Sequence, residues 1–220
     1  MKAHRIALIH ATTLAMDPIR AAFAQGWPGA ELMNLLDDAL TPDRARSPDL
    51  GPDIRRRIAE LAHYAHRAGA DAILFTCSAF GEAIEDVAQQ LPIPVLKPNE
   101  AMFEAAVQEG SSIGMLATFA PAIPGMEAEF EADAKRLNPA ARLRTIAAPD
   151  AMTALRGGDR QEHDRLVAAH VRDLGRVDAI ILAQFSMAPA AAAVRRVTDA
   201  PVFTSPDAAV SKLKSILANR

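Results

Sequence analysis

A single cysteine, Cys77, is the residue of this chain whose type and position are best suited to chemistry. It ends the apolar run "AILFTC" and stands just before the helical stretch "FGEAIEDVAQQL". Backbone N–H groups and the partial positive charge at a helix N-terminus lower a thiol pKa from about 8.5 toward neutrality. Cys77 is therefore a candidate base or nucleophile at neutral pH. The alternative is a small apolar packing residue, which free cysteines often are.

An internal repeat gives Cys77 a counterpart. The tripeptide "DAI" at 71–73 recurs at 178–180, and further identities fall at the same offset of 107 residues. Because the matches occupy the same places in the strand pattern without a gap, they predict a duplication into two half-size units. The same offset leads from Cys77 to Gln184.

Other candidates follow the ends of the predicted strands. His10 ends the first strand, and imidazole titrates near neutrality; equally, it could be satisfied by the backbone. Four small hydroxyl residues at these strand ends could hold substrate carboxylates: Thr12, Thr13, Ser78 and Thr118. Ser186, which lies close to Gln184 in the sequence, is a candidate for lining the pocket. Such residues are also ordinary helix caps.

Short apolar runs alternate with helical stretches along the chain. They lack regular polar alternation, which is typical of strands buried on both faces of a parallel sheet. The clearest runs are 5–11, 72–77, 93–96, 112–118, 178–184 and 200–205, with weaker ones at 30–36 and 141–148. The helical stretch between the first runs carries an apolar stripe and ends at Gly69.

This alternation predicts an α/β fold of two similar doubly wound parallel-sheet units. We expect the first unit to comprise residues 1–99 and 207–220, and the second to comprise residues 100–206. Residues 41–52, "TPDRARSPDLGP", hold three prolines and a glycine among polar residues. They predict an exposed loop, either a plain connection or a lid.

Composition excludes several classes of function. The 220 residues are 50% hydrophobic and 23% charged with a net charge of −3, as in ordinary globular proteins. There is no basic excess for nucleic acid. The apolar run in "MKAHRIALIH" is too short for a signal peptide or membrane span, so we expect a cytoplasmic protein. His63 and His66 lack the further ligands of a metal site, so no metal is expected.

The chain resembles the aspartate/glutamate/hydantoin racemase superfamily over nearly its whole length. The resemblance rests on "IALIHATT", "FTCSA", "IGMLAT" and "IILAQFSMAPAA". It implies two α/β units related by a pseudo-twofold axis and an enzyme that needs no metal or organic cofactor. In that family one cysteine from each unit lies on either side of the substrate α-carbon; one thiolate removes the α-proton and the other thiol returns a proton. The resemblance makes Cys77 the first of these cysteines and puts Gln184 in place of the second.

Gln184 departs from the family pattern in a way that limits the chemistry. A carboxamide does not titrate near neutrality, although it can donate a hydrogen bond to a carboxylate or enediolate oxygen. Three alternatives remain open. His10 could supply the second proton, a single proton transfer could suffice as in the similar arylmalonate decarboxylases, or Cys77 could attack covalently as in maleate isomerases.

The leading prediction is a cofactor-independent racemase or isomerase that acts through Cys77 at the α-carbon of a small carboxylate, such as an amino acid. A single-cysteine decarboxylase or lyase and a non-catalytic carboxylate-binding protein are the alternatives. The expected binding partner is the small carboxylate substrate, and a homodimer is a further option. Neither nucleic acid nor a membrane is expected as a partner.

Overall fold

The structure, a computed structural model, describes residues 3–46 and 49–219. The chain folds into two units, Met1–Pro98 with Ala209–Arg220 and Asn99–Ala208. Each unit holds a four-stranded parallel sheet, with strand order β2-β1-β3-β4 in the first and β6-β5-β7-β8 in the second. The predicted α/β class with two similar parallel-sheet units is confirmed.

The first unit contains the strands β1 (Arg5–His10), β2 (Glu31–Leu36), β3 (Ala72–Phe75) and β4 (Val95–Leu96). Its helices are α1 (Met16–Gly26), α2 (Leu40–Ala45), α3 (Pro52–Arg67) and α4 (Gly81–Ala88). The second unit contains the strands β5 (Ser112–Ala117), β6 (Arg142–Ala147), β7 (Ala179–Leu182) and β8 (Val202–Thr204). Its helices are α5 (Glu100–Glu109), α6 (Ile123–Leu137), α7 (Pro149–Arg156), α8 (Arg160–Ala169) and α9 (Ala191–Arg195), and α10 (Ser205–Ala218) ends the chain.

The repeat is visible in the register of the strands. Ile6 of β1 pairs with Ala72 of β3, and Ile113 of β5 pairs with Ala179 of β7, each residue lying 107 positions after its counterpart. The central strands β3 and β7 are buried along their whole length, which explains their continuous apolar sequence. The edge strands β2 and β6 are partly exposed and gave the weaker sequence signals.

The repeated "DAI" begins with an aspartate that ties two strands together in each unit. Asp71 accepts a hydrogen bond from the Arg5 backbone N–H at 2.7 Å. Asp178 accepts from the N–H groups of Ser111 and Ser112, both at 2.8 Å. These two donors lower the pKa of Asp178 below its ordinary value. The aspartate therefore recurs because it satisfies the first N–H groups of the neighbouring strand.

Core packing in the first unit follows the predicted helical stripe. Ile54 and Ile58 of α3 pack in one buried cluster with Ile73 and Phe75 of β3. Leu74, on the opposite face of the same strand, is also fully buried. The sheet is thus covered on both faces, and its carboxyl edge is the place left for polar side chains.

The predicted loop at 41–52 is wrong for its first half. Residues 40–45 form α2, whose Leu40 is fully buried and whose Thr41 donates a 2.5 Å hydrogen bond to the Ala11 carbonyl. Pro42 is tolerated because it lies in the first helical turn, where N–H groups lack intrahelical partners. Arg57 also bridges Asp37 and Asp43 at 2.6 Å each. Residues 47–48 lie outside the described residues, and a lid function stays a prediction.

Candidate active site

Cys77 and Gln184 occupy equivalent backbone positions in the two units. Cys77 follows β3 with φ −127° and ψ 124°, immediately before a 3-10 helix at Ser78–Phe80. Gln184 follows β7 with φ −119° and ψ 148°, immediately before a 3-10 helix at Phe185–Ala190. Both residues therefore end a central strand in extended conformation, as the repeat predicts.

The surroundings of Cys77 raise the pKa of its thiol. The side chain is partly exposed but packs against the core of the first unit. Desolvation by the surrounding protein raises the pKa, and a hydrogen bond from the Ala79 backbone N–H offsets this only in part. The predicted lowering toward neutrality is wrong, because Cys77 precedes a three-residue 3-10 turn and α4 begins only at Gly81. The free protein thus holds Cys77 as a protonated thiol at neutral pH.

His10 lies in a chain of hydrogen bonds next to Cys77. Its Nδ1 is 2.9 Å from the Thr76 hydroxyl, and its Nε2 is 2.9 Å from Asn34 Oδ1. The imidazole is fully buried, and this burial lowers its pKa. Both ring nitrogens are engaged, so direct proton transfer from His10 to a substrate would first require one of these bonds to break. A direct catalytic role for His10 stays a prediction.

The other hydroxyl candidates of the first unit lie on turns after the strands. The Thr12 hydroxyl accepts a 3.3 Å hydrogen bond from the Leu14 N–H and so caps a short 3-10 helix. Thr13 is the exposed first residue of that helix, and Ser78 is half-buried beside Cys77. Thr12 thus acts as a helix cap, and carboxylate binding by these three residues stays a prediction.

Gln184 and Thr118 are in contact in the second unit. Gln184 Oε1 accepts hydrogen bonds from the Thr118 backbone N–H at 2.9 Å and the Thr118 hydroxyl at 3.3 Å. A backbone N–H can only donate, which identifies the atom facing it as oxygen and settles the orientation of the carboxamide. Gln184 Nε2 consequently points the other way, where it is buried and has no partner among the described residues. Ser186 lies half-buried in the 3-10 helix that follows.

An unpartnered buried N–H₂ group is unusual, because most buried polar groups form hydrogen bonds. Leaving such a donor without a partner costs about 1–3 kcal/mol. A ligand oxygen that accepts from Nε2 would recover this energy. The contact with Thr118 therefore leaves Gln184 Nε2 oriented and able to donate to a hydrogen-bond acceptor.

Sequence reasoning missed Asn34. It is the one polar residue within the apolar part "LMNLL" of the edge strand, and that isolation was the available signal. Thr76 was recognised only as a neighbour of Cys77, whereas it bonds to His10 and is itself buried.

Neither a metal centre nor a membrane span is found within residues 3–46 and 49–219. No cluster of three or more histidine, cysteine, aspartate or glutamate side chains there has the arrangement needed to hold a metal ion. None of the helices in that part of the chain has the length and apolar character to cross a membrane.

Comparisons with solved structures agree with the two-unit fold. Glutamate racemase from Bacillus anthracis aligns over 100% of this chain and 83% of its own, with 16% identity and a TM-score of 0.78. Aspartate racemase from Picrophilus torridus aligns over 98% and 95%, with 14% identity and a TM-score of 0.71. Allantoin racemase from Pseudomonas fluorescens aligns over 97% and 91%, with 19% identity and a TM-score of 0.67.

No curated protein sequence matches the chain. The family model of the Asp/Glu/hydantoin racemases matches residues 6–218, which is nearly the whole sequence and includes both repeated units. The resemblance seen in the strand-end motifs thus extends through the entire fold, and the chain belongs to the Asp/Glu/hydantoin racemase family, whose named activity is that of an isomerase.

Proposed function

We propose that this protein is a cofactor-independent isomerase of the racemase type, which moves a proton at the α-carbon of a small carboxylate through Cys77. The observation that carries the proposal is the equivalence of Cys77 and Gln184 at the ends of β3 and β7. One position offers a transferable proton and the other offers a buried, unpartnered donor. The racemases of similar fold are named for glutamate, aspartate and allantoin, so the proposed substrates are amino acids and related small compounds.

The two residues have separate chemical roles in this proposal. Removal of an α-proton moves negative charge onto the carboxylate oxygens, and a donor already aimed at those oxygens stabilises the charge. Gln184 Nε2 supplies this donor, and Thr118 keeps it oriented. The Cys77 thiolate takes the α-proton, and the resulting thiol returns a proton to the α-carbon after exchange with solvent. Because Gln184 carries no acid proton, inversion requires the carbanion to turn its opposite face to the same sulfur before the proton returns.

A second candidate, a single-thiol decarboxylase or lyase, is favoured by the raised pKa of Cys77. A thiol that stays protonated at neutral pH is ready to donate its proton to a carbanion left by loss of carbon dioxide. The departing carbon dioxide leaves its bonding electron pair on the α-carbon, and the thiol proton forms the new C–H bond there. That reaction does not require an ionisable side chain at position 184.

Proton NMR in heavy water separates these candidates. The purified protein is incubated with a panel of amino acids, hydantoins, hydroxy acids and substituted malonates, in parallel with Cys77→Ala and the isosteric Cys77→Ser. Deuterium entering the α-position with loss of optical activity supports the racemase. Deuteration with release of carbon dioxide supports the decarboxylase.

Two outcomes contradict the proposal. Equal exchange by wild type and Cys77→Ala would exclude the thiol as the proton carrier. A panel member that binds without any exchange or bond cleavage would identify the protein as a carboxylate-binding protein. Binding is measured by isothermal titration calorimetry on the same samples.

A further inference from the structure

Three strands of the first sheet are linked by side chains at their carboxyl edge. Asn34 of β2 contacts His10 of β1, and His10 contacts Thr76, which directly follows β3. His10 is fully buried and Thr76 is 4% exposed, so water does not readily replace either partner. Thr76 also donates a hydrogen bond from its backbone N–H to the Ile9 carbonyl at 3.0 Å, and its hydroxyl oxygen lies 3.3 Å from the same carbonyl oxygen. This Asn34–His10–Thr76 chain ends at the residue before Cys77.

A neutral imidazole fits the hydrogen bonds of this chain. Asn34 Oδ1 can only accept, so His10 Nε2 carries the proton and Nδ1 is left as an acceptor. The single hydroxyl proton of Thr76 then has two acceptors in reach, His10 Nδ1 at 2.9 Å and the Ile9 carbonyl at 3.3 Å, and His10 Nδ1 is the nearer one. The lowered pKa of His10 maintains the neutral form at physiological pH.

The second unit lacks this arrangement at the equivalent positions. Ala117 and Ala183 stand 107 residues after His10 and Thr76, and neither has a polar side chain. Thr145 takes the register position of Asn34, and its hydroxyl is buried with no partner among the described residues. The chain of hydrogen bonds is thus specific to the unit that carries the thiol.

Gln184 does not need such a chain, because it is held directly. The Thr118 N–H contacts its carboxamide, whereas the Cys77 sulfur receives a hydrogen bond from the Ala79 N–H within its own turn. The strand end that carries this turn is fixed by the residue before Cys77, since Thr76 bonds to the Ile9 carbonyl and to His10.

We propose that His10 is a positioning residue, which acts through Thr76 to hold the strand end that carries Cys77 and so sets the reactivity of the thiol. The proposal rests on the proposed function, in which Cys77 transfers the proton. His10 itself exchanges no proton with the substrate in this role. Asn34 supports it from the edge strand by keeping the imidazole in one tautomer.

Alkylation of Cys77 by iodoacetamide tests the proposal without a substrate. Cys77 is the only cysteine, so the rate reports a single thiol. We expect Thr76→Val, which keeps the shape but removes the hydroxyl, to change the pH-independent alkylation rate about two- to tenfold, the range of one neutral hydrogen bond. Thr76→Ser, which restores a hydroxyl, should return the rate to within about twofold of wild type.

The remaining variants separate positioning from general loss of stability. Thr145→Val makes the same change at the second unit's register position and should leave the alkylation profile unchanged. Asn34→Ala alters an exposed residue, and should shift the rate in the same direction as Thr76→Val even if the latter folds poorly. An unchanged profile in Thr76→Val and Asn34→Ala, or a Thr76→Ser variant that behaves like Thr76→Val, overturns the proposal.

The proposed function and the positioning role fail in different measurements. Absence of any Cys77-dependent exchange in heavy water would remove the proposed function while leaving the alkylation result intact. Conversely, an exchange reaction whose kcat and KM are both unaffected by Thr76→Val would remove the positioning role alone. A fall in kcat at constant KM is the expected result, because the thiol and not the binding donor is displaced.

Discussion

Replacing Gln184 by glutamate is expected to remove most of the activity while preserving the local fold. The variant keeps an oxygen that accepts from the Thr118 N–H at the position now held by Oε1. The atom that changes is the buried Nε2 donor, which is replaced by a carboxylate oxygen. Gln184→Glu thus converts a donor into an acceptor at nearly constant volume.

The magnitude follows from two effects of the same sign. A hydrogen bond to a charged group contributes about 1.5–3 kcal/mol, and this contribution is lost. Two like charges about 4 Å apart repel by about 4 kcal/mol at an effective dielectric constant near 20. The two effects together come to about 5.5 kcal/mol or more, and each 1.4 kcal/mol is about tenfold, so kcat/KM for α-deuteration should fall about 10,000-fold or more.

The assay is the heavy-water exchange reaction at pH 7 with a substrate identified from the panel. Gln161→Glu is the matched control, because it adds the same charge on an exposed face of α8 in the same unit. Circular dichroism verifies that both variants fold. Activity of Gln184→Glu within about twofold of the control would refute the role of Nε2 as the donor to the substrate carboxylate.

Four further predictions test the thiol, the repeat and the packing. At pH 7 iodoacetamide should alkylate Cys77 more slowly than free cysteine, because the thiolate is the reactive form and the pKa of Cys77 is raised. The alkylation rate should increase with pH, with a midpoint above the ordinary thiol pKa. Faster alkylation than that of free cysteine at pH 7 would contradict the raised pKa. Gln184→Cys should raise two-base racemization of a bound α-amino acid above the wild-type rate, measured by loss of optical activity. A variant that folds and binds but shows no increase would indicate that the two positions do not act on one substrate. Asp178→Ala should be less stable than wild type in urea at pH 7. The difference should vanish as the pH falls through the lowered pKa of Asp178, because the wild-type carboxylate then becomes protonated. A difference in stability that persists in strong acid would show that it does not come from the charged carboxylate. Gly114→Ala should lose about 1–3 kcal/mol of unfolding free energy, because the new Cβ would lie 2.7 Å from Leu174 Cδ1, and unchanged calorimetric stability would refute that clash.

Much of the fold could be predicted because its signals are local. Continuous apolar runs gave the buried central strands β3 and β7, and a 3.6-residue stripe gave α3. The constant offset of the repeat was enough to place Gln184 after β7 at the position that Cys77 occupies after β3. Helix α2 was missed because its proline and charged residues are typical of a loop, while its stability depends on the buried Leu40 and on the ion pair of Asp43 with the distant Arg57.

The sequence placed the candidate site residues at the ends of strands, but it did not predict their environments. The pKa of Cys77 was expected to fall, since a helical pattern follows it, whereas the turn is a short 3-10 helix and burial dominates. Burial depends on every element packed around the sulfur, and no short stretch of sequence records it. Asn34 was missed for a related reason, because it matters only through a contact across two strands.

The sequence by itself determined the two parallel-sheet units, the position of the thiol and the presence of a carboxamide at the equivalent position of the second unit. These features depend on residue type, periodicity and a constant offset, all of which are properties of the chain. The tertiary structure alone decided that burial raises the pKa of the thiol, that the carboxamide presents Nε2 without a partner among the described residues, and that both ring nitrogens of His10 are hydrogen-bonded. Desolvation and hydrogen-bond direction arise from groups far apart in the chain, so they exist only once the strands are side by side.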